Sequence, residues 1–197
     1  MQNIYKPAED SYLLEDCLKE KIPSLIKENR DLKFLEIGCG SGVLLNAALN
    51  SGIKKENILG VDINPDAVAH CSKLGFNSLV SDLFEAFKGG VSVRARRRSR
   101  QVPLKFDVIV FNPPYLPEDK REPEDSKRAT TGGKKGNEVI IKFLEQVKNH
   151  LEKEGRIFLI TSSLAEGIDF EKFGFKTEEI SSRKMFFERI VVWEVRR

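Results

Sequence analysis

The run Phe34-Leu35-Glu36-Ile37 passes straight into Gly38-Cys39-Gly40-Ser41-Gly42, and a second apolar run, Ile58-Leu59-Gly60-Val61-Asp62-Ile63, carries an acid near its end. An apolar run that stops at glycines reads as a buried strand, and glycines let the chain turn tightly into the helix expected over 42–50. Such a turn also lets a ligand approach the backbone, while a carboxylate at the next strand tip can hold ribose hydroxyls. The two features together predict a strand–helix–strand unit that binds a nucleoside. A plain strand-to-helix connection would need neither acid.

The rest of the chain repeats this alternation. Apolar spacing behind Glu9 and Asp10 predicts a helix over 10–20, and a second short helix is expected over 24–29. Asn64-Pro65 supplies a cap and a first-turn proline for a helix over 65–74. A short strand over 78–80, a helical turn over 83–87 and a strongly apolar strand over 106–111 follow, the last ended by Pro113-Pro114. A helix over 138–151 precedes a strand over 156–161, a short helix over 164–173 and a closing pair of strands over 176–181 and 189–195. Strands alternating with helices mean an α/β domain with a mostly parallel sheet covered on both faces.

The length favours a single domain over residues 1–197 and allows two small ones, and apolar residues at 40% with charged residues at 32% exclude a disordered or fibrous chain. The longest uncharged stretch, 37–53, is broken by glycine, asparagine and serine and is no membrane span. No apolar core follows a basic start at the N-terminus, so no secretory signal is expected and the chain is expected to be cytoplasmic. Cys17, Cys39 and Cys71 are odd in number, lack any CxxC spacing and read as buried thiols, and His70 and His150 stand apart, so no metal is expected.

Glu36 narrows the ligand, because an acid beside the turn repels a pyrophosphate but attracts an ammonium group. That favours S-adenosyl-L-methionine, with its α-amino group and cationic sulfur, over NAD. Asp82 and Leu83, past the third strand, are placed to accept the adenine amino hydrogen and pack on the ring; the alternative is that Asp82 only caps the turn at 83–87. Asn112-Pro113-Pro114-Tyr115 is the second constellation. Two prolines fix a rigid turn at the carboxyl edge of the sheet, where active sites lie. Methyl transfer to a planar NH2 group suits it: the carbonyls of Asn112 and Pro113 can accept both hydrogens while Tyr115 stacks on the plane. A capped proline turn is the plain alternative.

These residues resemble the class I methyltransferases of the HemK type, which methylate the glutamine amide of peptide-chain release factors. The opening Tyr5-Lys-Pro-Ala-Glu-Asp-Ser-Tyr12, the segment Gly132-Gly133-Lys-Lys-Gly136-Asn-Glu138 and the closing strand near Glu188 and Val192 resemble the short eukaryotic and archaeal branch. The resemblance implies a Rossmann-like seven-stranded sheet in the order 3-2-1-4-5-7-6, with residues 1–30 as an N-terminal helical cover. It implies that Ser11, Glu36, Gly38, Gly40, Asp62, Asp82, Leu83 and Asn112 surround the cofactor and that Asn112, Pro113, Pro114 and Tyr115 carry the chemistry. It also implies a small zinc-binding activator protein docked on the edge strand around Phe76 and Val80. The bacterial branch has a helical N-terminal domain that grips the release factor; nothing before Tyr5 could form one, so substrate gripping is expected to come from elsewhere.

The charge of +3 is local: six basic residues, Arg94, Arg96, Arg97, Arg98, Arg100 and Lys105, and no acid lie within 91–105. This inserted basic loop, taken as 89–105, is expected to be solvated, with ribosomal or transfer RNA contact as the sharper alternative. The rival activity is adenine N6-methylation of DNA or RNA, since Asn-Pro-Pro-Tyr serves either planar NH2 group. A non-catalytic nucleotide-binding scaffold would not need that turn.

Overall fold

A computed structural model describes residues 4, 6–88, 91–92, 101–102, 104–119, 121, 123, 127, 130–185 and 188–197. Tyr5 and the arginines at 94, 96, 97, 98 and 100 lie outside the described residues.

Nine strands are found among the described residues: β1 (Phe34–Ile37), β2 (Ile58–Asp62), β3 (Asn77–Val80), β4 (Val91–Ser92), β5 (Gln101–Val102), β6 (Phe106–Phe111), β7 (Leu151–Ser162), β8 (Lys176–Met185) and β9 (Glu188–Arg196). The helices are α1 (Glu9–Glu28), α2 (Val43–Asn50), α3 (Pro65–Lys73) and α4 (Glu138–Val147). Seven strands form one sheet in the order β3-β2-β1-β6-β7-β9-β8, which in the sheet's own sequence is 3-2-1-4-5-7-6. β1, β2, β3, β6 and β7 are parallel, and β9 joins β7 and β8 antiparallel. β4 and β5 pair antiparallel at the ends of the basic insertion.

The period of two along each strand divides the core. Phe34, Val108, Val110, Phe158 and Ile160 face one side with Leu14, Leu18 and Ile22 of α1 and Leu44 and Leu45 of α2. Leu35, Ile37, Ile109, Phe111, Ile157 and Leu159 face the other with Ile140, Phe143, Leu144 and Val147 of α4. Burial on both faces makes these strands continuously apolar, as parallel sheets require. Phe34, Phe143 and Phe158 are fully buried, and truncating any of them to alanine would cost about 3–5 kcal/mol.

Four expectations are corrected. The first two helices are one, α1, with Pro23 inside it. Pro23 removes one ladder bond, but the helix keeps Ile22 buried and Leu25 and Ile26 against the core, and Ser24 Oγ donates to Lys21 O at 2.7 Å. The helix expected over 164–173 shrinks to a 3-10 turn, Glu171–Phe173, because Gly167 adopts a left-handed φ of 78°. The helical turn expected over 83–87 likewise reduces to a 3-10 turn, Glu85–Phe87, since Leu83 itself is left-handed. The helix expected to reach 151 stops at Val147, and β7 starts at Leu151 rather than at 156, with a register shift against β6 between Phe106 and Val108. No helix among the described residues is long and apolar enough to cross a membrane.

Candidate active site

Register brings the site together. Ile37 pairs with Val61 on one side and Phe111 on the other, and Asp62 pairs with Val80. The glycine turn, the Asp62 tip, Ser81-Asp82-Leu83 and Asn112 therefore all leave the carboxyl edge of the sheet at one level, where ligands bind in open α/β sheets.

Gly38, Gly40 and Gly42 take φ of 70°, 46° and 77°, a region that favours glycine. Asp62 Oδ2 accepts the Gly40 amide and its Oδ1 accepts the Asn64 amide, each at 2.8 Å. Burial raises the Asp62 carboxyl above its usual range, opposed by the amides of Asn64, Gly40 and Ile63. Behind the turn β2 comes so close that a Cβ at Gly60 would lie 2.9 Å from Cys39 Cβ. Cys71 Sγ donates to Gly40 O at 3.6 Å; the three cysteines are buried free thiols.

Glu36 is buried, and its Oε2 has no hydrogen-bond partner. Burial is the main reason its carboxyl sits well above the usual range, with the nearby Cys71 and Asp62 adding to it and the Leu45 amide opposing. A buried carboxyl oxygen without a partner is costly, so Oε2 suits a hydrogen-bond donor, and a cationic donor would favour the ionised form that burial opposes.

Asp82 is engaged by Lys142, whose Nζ donates to its Oδ2 at 2.6 Å. Its carboxylate does not cap the following turn; its backbone carbonyl does, accepting from Glu85 N at 3.0 Å. Leu83 is the one non-glycine among the described residues with a left-handed φ, 50°, at a cost of about 1–3 kcal/mol. Ser81 Oγ holds it there by donating to Leu83 O at 2.8 Å and accepting from Ala86 N at 3.0 Å.

At the tip of β6, Asn112 Nδ2 donates to Asp10 Oδ2 at 3.0 Å and to Ser11 Oγ at 3.3 Å. Tyr115 Oη donates to the same Asp10 oxygen at 3.1 Å. Asn112 Oδ1 is buried without a hydrogen-bond partner. The loop that carries Gly132 and Gly136 is laced to this turn: Leu116 N bonds Thr130 O, Gly132 N bonds Leu116 O and Glu118 N bonds Gly133 O, each at 2.9 Å. A Cβ at Gly132 would collide with Pro114 O and Gly136 O, and one at Gly136 with Tyr115 O.

The expected residues thus fall into two connected groups, Glu36 with the glycine turn and Asp62, and Ser11 with Asn112 and Tyr115. Asp82 and Leu83 stand beside the first. The sequence reading missed Asp10, taken only as an acid complementing a helix end, although it directly precedes Ser11. The contact with Asn112 spans 102 positions and has no local signal.

The sequence profile of the methyltransferase small domain matches residues 11–186. A Methanocaldococcus jannaschii protein provisionally named as a protein N5-glutamine methyltransferase is 38% identical over 96% of this chain and 89% of its own length. The mtq2 catalytic subunit of the Schizosaccharomyces pombe eRF1 methyltransferase is 26% identical over the full chain and 90% of its own length. Among solved structures, a ribosomal protein L11 methylase from Lactobacillus delbrueckii subsp. bulgaricus shares the fold, with a TM-score of 0.61 at 15% identity over 98% of this chain and 82% of that one.

Proposed function

The chain belongs to the methyltransferase small domain family, and on that premise we propose that it transfers a methyl group to the side-chain amide nitrogen of the glutamine in the Gly-Gly-Gln tip of a peptide-chain release factor. The buried, unpartnered Oδ1 of Asn112 carries the proposal. An acceptor-only group beside the Pro113 carbonyl suits an incoming NH2, which brings two hydrogens and no free charge.

S-adenosylmethionine fits the residues present, since the partnerless Glu36 Oε2 suits its ammonium group and the open glycine turn admits its close approach. Ser11, Glu36, Gly38, Gly40, Asp62, Asp82, Leu83 and Asn112 would hold it. When bound, it supplies a methyl group on a cationic sulfur. An amide nitrogen is a poor nucleophile because its lone pair is delocalised into the carbonyl. Asn112 Oδ1 and Pro113 O take its two hydrogens and fix the plane, and the half-buried Tyr115 ring covers one face. Transfer would form the N–C bond as the sulfur–methyl bond breaks, leaving a neutral thioether, and the nitrogen would lose one proton to solvent in the course of it, so no strong base is needed beforehand.

The remaining elements follow from this reading. Residues 1–197 act as one domain with the first thirty as a helical cover, in the cytoplasm where release factors work. A small zinc-binding activator docks on β3: this edge strand exposes Leu79 and Val80, and Ile63 beside it is 63% exposed. For the basic insertion from Arg94 to Lys105, contact with ribosomal or transfer RNA is the alternative to a merely solvated role, and its six cations without an acid are the support for it. Incubation with labelled S-adenosylmethionine, with and without the activator, tests the activity. Label should enter a release factor and vanish when the Gly-Gly-Gln glutamine is changed to alanine; label that survives the change refutes the assignment.

A further inference from the structure

We infer that Asp10 is a positioning residue for methyl transfer: it fixes the side-chain amide of Asn112 so that the carbonyl, and not the NH2, faces the acceptor, and it ties Tyr115 to the same point. The inference deepens the proposed function and rests on Asn112 as the group that orients the acceptor.

The two ends of an asparagine amide are almost the same shape but opposite in hydrogen-bonding sense. A flip about the last torsion would turn Asn112 from a group that accepts from an incoming NH2 into one that opposes it. Nothing within Asn112 chooses between the two. Asp10 does: its Oδ2 lies 3.0 Å from Asn112 Nδ2 and also takes the Tyr115 hydroxyl, and the flipped amide would set carbonyl oxygen against that same oxygen. Ser11 Oγ, at 3.3 Å, adds a second acceptor on the same side.

Asp10 is built to hold this position. It is 4% exposed, and its other oxygen, Oδ1, accepts from Ser11 N at 2.7 Å and Ser11 Oγ at 3.3 Å, so each carboxylate oxygen has a defined task. The first turn of α1, with its unpaired amides, favours a carboxylate there. Oδ2 also receives Tyr115 Oη at 3.1 Å, so one atom grips both ends of the Asn112-to-Tyr115 turn. The N-terminal helix is thereby part of the catalytic apparatus as well as a cover for the core.

Asp10→Ala and Asp10→Asn are compared with the wild type for kcat, KM of the release factor and affinity for S-adenosylmethionine. Asp10→Ala should lower kcat at least about a hundredfold while cofactor affinity stays within about threefold, the pattern of a lost orienting group. Asp10→Asn, which keeps one acceptor and the same shape, should fall between, and it preserves the test if the alanine variant is unstable. In an Asn112→Ala background the Asp10→Ala change should cost far less than in the wild type, because there is no amide left to orient and only the tie to Tyr115 is lost. A substrate-independent readout is hydrogen exchange at the Asn112 side-chain amide, followed by nuclear magnetic resonance in asparagine-labelled protein. Exchange should be slow in the wild type, fast in Asp10→Ala and intermediate in Asp10→Asn. Near-normal kcat in a folded Asp10 variant, full multiplication of the two losses, or unchanged amide protection would each overturn the inference. A wild-type enzyme that leaves release factor unlabelled would refute the substrate assignment alone, and the amide exchange would still decide the role of Asp10.

Discussion

Asp62 reaches from the tip of β2 to the glycine turn after β1, where its Oδ2 accepts the Gly40 amide at 2.8 Å. With Oδ1 taken by Asn64 N, the carboxylate both shapes the turn and keeps further lone pairs for a ligand. Asp62→Ala should therefore weaken cofactor binding by about 1.5–3 kcal/mol, the range for a hydrogen bond to a charged group. Calorimetry on the folded variant measures this directly, and unchanged affinity would remove Asp62 from the cofactor site.

On the proposed function, Glu36 should make cofactor binding pH-dependent. Its carboxyl lies well above the usual carboxylate range in the free protein, chiefly through burial. A cation set against it favours the ionised form and lowers that pKa, so binding must expel protons and affinity must rise as pH increases through the titration of Glu36. Calorimetry in buffers of different ionisation enthalpy should show proton release in the wild type and less in Glu36→Gln. Equal release from both would exclude this role.

Gly132 is pressed between the carbonyls of Pro114 and Gly136, neither of which is a movable side chain. Gly132→Ala should cost about 1–3 kcal/mol in stability, as overpacking does, and should also lower turnover by shifting the Asn112-to-Tyr115 turn. Urea unfolding and steady-state rates check both effects. Full activity in the folded variant would show that this loop does not support the turn.

His150 supplies a pH test of the core. It stacks on Phe84 with ring centroids 4.6 Å apart, and burial lowers its pKa below the usual histidine value, with the Leu104 carbonyl opposing. A histidine whose folded pKa is depressed contributes its full stability above the unfolded value of about 6.5 and loses it as pH falls through the folded value. His150→Phe keeps the stack and cannot titrate. The melting temperature of the wild type should therefore fall relative to the variant between neutral and acid pH, and a constant difference would contradict the assignment.

The two constellations and the sheet were legible because they depend on short-range chemistry: glycines after an apolar run, an acid at the next strand tip, and prolines that end β6. Helix and strand periods located every strand of the main sheet. Pro23 obeys a local rule that the burial of Ile22 beside it overrides, and the left-handed Gly167 breaks a helix whose composition allows it. Asp10 failed for the opposite reason: its local role at a helix end is sufficient, so nothing near it in sequence hints at Asn112 or Tyr115. Gly132 and Gly136 were visible through resemblance, but their contact with the proline turn exists only after folding.

On the proposed function, the Asn112 turn serves a flexible glutamine amide rather than a nucleobase. Extruding adenine from duplex DNA costs a few kcal/mol, which an enzyme must supply through contacts with the nucleic acid. The most direct test is a single reaction holding labelled S-adenosylmethionine, a release factor with an intact Gly-Gly-Gln motif and adenine-bearing DNA and RNA, followed by site-resolved mass spectrometry. The methyl group should lie on the glutamine side-chain nitrogen, and Asn112→Ala should reduce its appearance at least about a hundredfold. Methylated adenine with an unmodified release factor would contradict the account.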